Sequence, residues 1–401
     1  MRNLVMLTTV VLAVVMAQTP DFSAQGRHGW DYRTVDIPGT TEVMADSRIY
    51  FPDSAGAFPT SAVPAPIAVF GHGWQMGTDR YYSYAEHLAS WGYVTVLPTY
   101  SNPLINPEHD KRAQLMVDAA RFVSALDTVF GDRFHGALDR WNWGFAGHSL
   151  GGSISLLAAD TFGLYDTLRA VVALASPQTT PPTHSEHLLV PKLLLPGSAD
   201  NIAPWQDVRS AFWADAPPPG TFAVISGANH GYYMDYSYFW ENGGSAFITR
   251  EFQQQISRRH LTAWFERYLQ GDSGAWNRAY TFGDSILHHP TMETVEVRLP
   301  PAVVSDPFIN IVGGLSAASS PARGRVRIRF GLPESGAVKL TVYDARGNRV
   351  RTLLDRRESG GVRALVWDGR DDSGREVPAG TYVVRLAGHG WATTRRVILL
   401  K

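Results

Sequence analysis

Trp141-Asn-Trp-Gly-Phe-Ala-Gly147-His-Ser149-Leu-Gly-Gly152 joins an apolar run to a glycine-rich turn, and it decides the fold. Trp141 to Ala146 has the composition of a buried strand. Glycines two residues on either side of Ser149 make the G-x-S-x-G pattern, in which a serine occupies a strained turn between strand and helix with its hydroxyl exposed. Gly151, Gly152 and Ser153 then open a helix with side chains small enough to lie close against a sheet. An inert serine in a glycine-rich turn would show the same letters, but the strand before it and the helix after it are the setting the nucleophile pattern requires.

Outward from that turn, residues 30 to 290 alternate short β-branched runs with longer helix-period stretches, the signature of a mostly parallel sheet with crossover helices. Tyr32–Pro38 and Arg48–Pro52 form an opening hairpin. Ala65–Phe70, Tyr93–Pro98, Ala170–Ala175, Lys192–Leu195 and Phe222–Ile225 read as further strands. Tyr81–Trp91, Arg112–Phe130 and Ile248–Leu269 read as helices, the last closed by Gly271. The expected fold is α/β, a mostly parallel sheet flanked by helices, followed by a small all-β sandwich. After Asp284, prolines at 290, 300, 301 and 307 and a Gly/Ser/Ala stretch to Pro321 suggest a bridging segment. Beyond it the period changes to two: Arg325–Phe330, Ala337–Tyr343, Val362–Trp367, Thr381–Leu386 and Thr394–Leu400 alternate between turn residues, as in an immunoglobulin-like sandwich. The expected division is 1–17 export signal, 25–290 α/β domain, 291–320 linker and 321–401 sandwich.

The chain has 401 residues, 44% of them hydrophobic and 18% charged, which excludes a disordered chain. Its net charge of −1 gives no reason to expect nucleic acid as a partner. That average hides an asymmetry: residues 321–401 hold 17 Lys/Arg against 8 Asp/Glu, a net of +9 that leaves −10 for the rest. With no cysteine, disulfides, thiolate metal sites and a cysteine nucleophile are all excluded. Arg2 followed by the apolar Leu4–Ala17 has the form of a cleaved export signal, too short for the roughly 20 residues that span a bilayer. The expected location is outside the cell or on its surface, with no transmembrane segment.

A serine hydroxyl is a poor nucleophile until a base takes its proton, so a carboxylate and a histidine should follow Ser149 in that order. Asp200 lies just after the strand Lys192–Leu195, and His230 just after Phe222–Ile225. Loops at the carboxyl edge of a parallel sheet are where distant residues converge. Acyl transfer also needs N–H donors for the oxyanion of the tetrahedral intermediate. Leu150, after the nucleophile, offers one; Trp74, in Phe70-Gly-His-Gly-Trp74-Gln-Met-Gly77, offers the other, with Gln75 second. No cofactor is called for, and no H-E-x-x-H metal motif occurs. The aromatic run Tyr232, Tyr233, Tyr236, Tyr238, Phe239, Trp240 either lines an apolar pocket with Trp205 or packs an ordinary loop.

These residues resemble the bacterial cutinase-like and poly(ethylene terephthalate) hydrolase branch of the α/β-hydrolase superfamily over about residues 60–270. The likeness rests on Gly71-His-Gly-Trp74, Gly147-His-Ser-Leu-Gly-Gly152, Ala175-Ser-Pro-Gln178, Asp200-Asn-Ile-Ala-Pro204, Gly227-Ala-Asn-His230 and Ala263-Trp-Phe-Glu-Arg-Tyr-Leu269. It implies Ser149, Asp200 and His230 as nucleophile, acid and base. It implies an ester or polyester substrate in a cleft lined by Trp74, Gln75, His148, Gln178, Ile202, Trp205 and Tyr232. The sequence departs from that branch at Pro181, where a substrate-stacking Trp is usual, at Leu150, where Met is usual, and in lacking the paired cysteines. Residues 318–401, with Trp367-Asp-Gly-Arg-Asp-Asp-Ser-Gly-Arg-Glu-Val-Pro-Ala-Gly-Thr-Tyr382, resemble the hook-capping-type immunoglobulin-like modules at the ends of secreted bacterial proteins. That likeness implies the secretion machinery or cell envelope as a partner of this domain; a basic face that is only solvated is the plainer reading.

Overall fold

A computed structural model describes residues 21–101, 103–164, 166–272, 291–298, 315–318, 322–323, 326–332, 336–358, 361–388 and 391–400. The expected export signal and the aspartate, proline and histidine residues between 273 and 290 lie outside the described residues.

The chain divides into two compact units, separating essentially at Arg298. The first holds a nine-stranded sheet. In chain order its elements are β1 (Gly29–Pro38), β2 (Val43–Asp53), β3 (Ala65–Gly71), α1 (Tyr82–Ser90), β4 (Val94–Leu97), α2 (His109–Leu126), β5 (Leu138–His148), α3 (Leu150–Thr161), β6 (Leu168–Leu174), β7 (Lys192–Leu195), α4 (Trp205–Phe212), β8 (Gly220–Ile225), α5 (Arg250–Tyr268) and β9 (Met292–Arg298). Across the sheet the order is β1-β2-β4-β3-β5-β6-β7-β8-β9. The six central strands from β4 to β8 run parallel, and β1, β2 and β9 pair antiparallel at the edges. The central strands are apolar on both faces because helices cover both. Ala68, Phe70, Ala146, Val172, Leu193 and Leu195 share one cluster with Tyr84 and Leu88 of α1 and Trp264 and Phe265 of α5. Alternation along the strands leaves the other face to α2 and α3, which pack on each other and on β5.

The bridging segment expected at 291–320 needs correction at both ends. Met292–Arg298 pairs residue for residue with β8 and completes the first sheet. Its Met-Glu-Thr-Val-Glu-Val-Arg alternates as an edge strand should, but the flanking prolines hid it. Near the far end, β10 (Leu315–Ala318) already belongs to the second unit.

That second unit continues with β11 (Ala322–Arg323), β12 (Val326–Leu332), β13 (Gly336–Asp344), β14 (Arg349–Glu358), β15 (Gly361–Trp367), β16 (Gly380–Gly388) and β17 (Trp391–Leu400). They form a three-stranded sheet, β10-β12-β15, and a five-stranded sheet, β11-β17-β16-β13-β14. All pairs are antiparallel except β11 with β17. One core draws alternate residues from both sheets: Val326, Ile328 and Phe330 from the smaller, Leu340, Val342, Val384 and Leu386 from the larger. Trp367, fully buried, sits among them with its indole N–H donated to Arg370 O at 2.9 Å. Asp371 spends its carboxylate on the N–H groups of Ser373 and Arg375, as an aspartate in a turn does.

Candidate active site

Parallel strands end on one edge, and the loops that follow β3, β5, β7 and β8 carry Trp74, Ser149, Asp200 and His230. Ser149 sits between β5 and α3 with φ +54° and ψ −123°, a conformation that costs a non-glycine residue about 1–3 kcal/mol and persists only when its surroundings impose it. Its surroundings do so: its N–H donates to Leu174 O at 2.9 Å, and its carbonyl accepts from Ser153 N at 3.0 Å. The flanking glycines are sterically required. A Cβ on Gly151 would stand 1.9 Å from Gly71 O, and one on Gly147 would stand 2.4 Å from the Gly151 carbonyl carbon. Backbone thus meets backbone beneath the turn, and the serine is pushed out to partial exposure.

The His230 imidazole donates Nδ1–H to Asp200 Oδ2 at 2.7 Å, with both side chains buried. The other carboxylate oxygen accepts the N–H groups of Ile202 and Ala203 at 2.8 and 2.9 Å. Such charge-assisted bonds hold an ionised carboxylate in place. His230 is braced from behind by Asn229, whose N–H and C=O both bond the buried Gln253 side chain. The ring of His148, adjacent to Ser149, lies 4.6 Å from that of His230. No hydrogen bond joins Ser149 Oγ to His230 among the described residues.

His148 is fully buried, stacked 5.4 Å from Tyr233, and its Nδ1 is 2.9 Å from the Tyr81 hydroxyl. Burial, reinforced by the neighbouring His230, holds its pKa well below the usual histidine range, so it stays neutral. The Tyr81 oxygen also accepts the Gly73 N–H at 3.1 Å, so one hydroxyl joins the Gly73 backbone to the His148 ring. Tyr81 was not legible as a site residue: 67 positions separate it from His148, and only folding joins them. On the same loop His72 is buried, stacked 3.8 Å from Tyr100, and kept neutral by burial with its pKa pushed down to about 4. The loop lies against the nucleophile turn, since a Cβ on Gly73 would stand 3.6 Å from Ser149 Cβ. Among the described residues neither the Trp74 nor the Leu150 N–H has a hydrogen-bond acceptor. Leu150 is the first residue of α3, where N–H groups have no partner within the helix.

Residues 24–282 of the chain match the PET hydrolase-like family. The chain belongs to the PET hydrolase-like family. Residues 316–390 match the FlgD Ig-like domain. No curated protein matches the chain closely enough to count as a relative.

Of the cleft residues expected in this PET hydrolase-like site, Trp74 and Ile202 are partly open to solvent beside the site, and the indole of Trp74 is tied to Pro103 O at 2.8 Å. Ile202 borders His230: a Cβ on Gly243 would stand 2.8 Å from the one and 2.9 Å from the other. Gln75 takes a left-handed φ of +58° within the loop. The other expected cleft residues make these contacts. The Gln178 amide is used by its own loop, accepting from Thr179 N and Thr183 N at 2.8 and 3.1 Å. Tyr232 lies under the Arg250 guanidinium at 4.5 Å. Trp205 opens α4 and leans on Phe222. The aromatic run splits as well: Tyr233 is core, bonded to Leu195 O at 2.9 Å, whereas Phe239 and Trp240 are exposed to solvent. No group of three or more potential metal ligands occurs among the described residues.

Proposed function

We propose that this PET hydrolase-like chain is a serine carboxylester hydrolase acting on apolar esters, polyesters among them, through an acyl-enzyme. The observation that carries the reading is the buried Asp200–His230 pair at 2.7 Å, on the same sheet edge as a serine in a strained turn. Ser149 Oγ attacks the ester carbonyl carbon while its proton passes to His230 Nε2. Asp200 holds Nδ1–H, which leaves Nε2 free as the base and stabilises the imidazolium that forms. The new oxyanion is met by the N–H groups of Leu150 and Trp74. Collapse breaks the bond to the alcohol, which leaves with the proton from His230. Water then repeats the sequence on the acyl-enzyme, releasing a carboxylic acid and restoring the serine.

Turnover of nitrophenyl esters of graded acyl length tests this. Ser149→Ala should abolish it, and unchanged turnover in that variant refutes the nucleophile. Release of soluble aromatic acids from a polyester film by the wild type but not by Ser149→Ala extends the reading to polyesters. Ester turnover without such release limits it to short-chain or lipid esters. Export is part of the same proposal, supported by the composition of residues 1–17. A secreted form beginning near Gln18 is the expected product, read by N-terminal sequencing.

A further inference from the structure

We propose that the segment Tyr236–Phe247 is an adsorption surface that seats the enzyme on an uncharged aromatic polymer, an inference that rests on the proposed esterase reading. Phe239 is 82% exposed, Trp240 65% and Phe247 84%, although large apolar side chains are normally withdrawn from water. Phe239 and Trp240 touch each other, and exposed apolar patches of this kind mark interaction surfaces. The rings are displayed on a fixed scaffold. Trp240 stacks on Tyr238 at 4.8 Å, and Phe239 meets Trp240 edge-on at 5.0 Å. The loop beneath is fastened by Glu241 to Arg80 at 2.5 Å, by Ser237 Oγ to the Asn242 amide oxygen at 2.7 Å, and by Phe247 N–H to Gly227 O at 2.8 Å. A surface held rigidly in its binding shape gives up little conformational freedom on contact.

Place and charge say what the surface fits. Gly231 N–H donates to Asn242 O, and Asn201 N–H to Gly243 O at 2.5 Å, so the loop is bonded to the neighbours of His230 and Asp200. The loop that carries the rings therefore lies beside the site. Between Tyr232 and Thr249 the only charged residues are Asp235 and Glu241. Both are turned inward, Asp235 onto Ser83 and Glu241 onto Arg80. The Arg80 guanidinium packed on the Tyr236 and Tyr238 rings is buried and paired with Glu241, so an anionic membrane would find no free cation in this segment, whereas flat stacked rings suit an uncharged aromatic solid.

The test measures adsorption apart from catalysis. Full-length Ser149→Ala protein, which cannot erode its support, is titrated onto amorphous poly(ethylene terephthalate) film, with and without Phe239→Ser and Trp240→Ser together. A tenfold or greater loss of film affinity is expected, and about threefold for Phe247→Ser. With Ser149 intact, the same substitutions should leave nitrophenyl butyrate turnover within twofold, which also shows that the fold survives. Unchanged film affinity overturns the proposal, as does equally tight, equally ring-dependent binding to neutral phosphatidylcholine vesicles. Absence of nitrophenyl ester turnover in the wild type sinks the esterase reading instead, and leaves the adsorption result to stand or fall by itself.

Discussion

Acid should destabilise the first unit through histidines that the fold keeps neutral, and His87 is the cleanest probe because it lies away from the catalytic edge. On α1 its Nε2 is 3.0 Å from Phe22 O and 2.9 Å from Thr262 Oγ1, with the ring buried. Burial, then the nearby Arg258 charge, pushes its pKa down to about 3, against a weaker opposing pull from Asp21. His72 behaves alike at about 4, with Arg112 lowering and Asp79 raising. In an unfolded chain both would titrate near 6.5. The folded values lie below the unfolded ones, so below about pH 6.5 the unfolded chain binds protons that the native state refuses. The stability these groups lend is full above that pH and is lost as pH falls toward the folded values. Between pH 7 and 4.5 each loses about 2–3 kcal/mol, roughly 5 kcal/mol together, against a typical total of about 5–15 kcal/mol. In His87→Gln, an amide can still donate to Phe22 O but cannot titrate. At pH 7 the variant should be about 1 kcal/mol less stable. Urea unfolding of the full chain, followed by tryptophan fluorescence from pH 7.5 to 4.5, should then show the two stability curves crossing near pH 5.5. Parallel curves with a constant gap would refute the burial argument.

Further expectations concern single contacts. Asp200→Asn offers His230 an amide that favours the wrong tautomer, so kcat on a nitrophenyl ester should fall by about 10⁴ with KM little changed; a loss under tenfold contradicts the proposed role of Asp200. Tyr81→Phe leaves the Gly73 N–H and His148 Nδ1 without their partner, which should lower the melting transition by about 1–3 kcal/mol of stability. It should also reduce kcat severalfold, because Gly73 carries Trp74. Trp367→Ala empties the centre of the immunoglobulin-like core and should cost that domain about 3–5 kcal/mol, visible as an earlier thermal transition. Ester turnover at 25 °C should survive it.

The order Ser149, Asp200, His230 along the chain, each just past a short apolar run, was enough to mark one sheet edge, because strand composition and turn chemistry are local properties. The same holds for the period-two strands of the tail. Local signals failed where identity depends on a distant partner. β14, rich in arginine, is a strand because β13 pairs with it, and β9 because β8 leaves an open edge.

Side-chain direction was beyond the sequence altogether. Tyr233 and Phe239 are six residues apart in one aromatic run, yet one closes the core and the other stands in solvent. Nothing local showed that the Gln178 side-chain oxygen would accept N–H groups of its own turn. Composition determined that a hydroxyl, an imidazole and a carboxylate would be available at strand ends. Only the packing of Gly151 against Gly71, and of His148 between Tyr81 and His230, decided where they point, since those contacts span tens of residues and exist only after the chain has closed on itself.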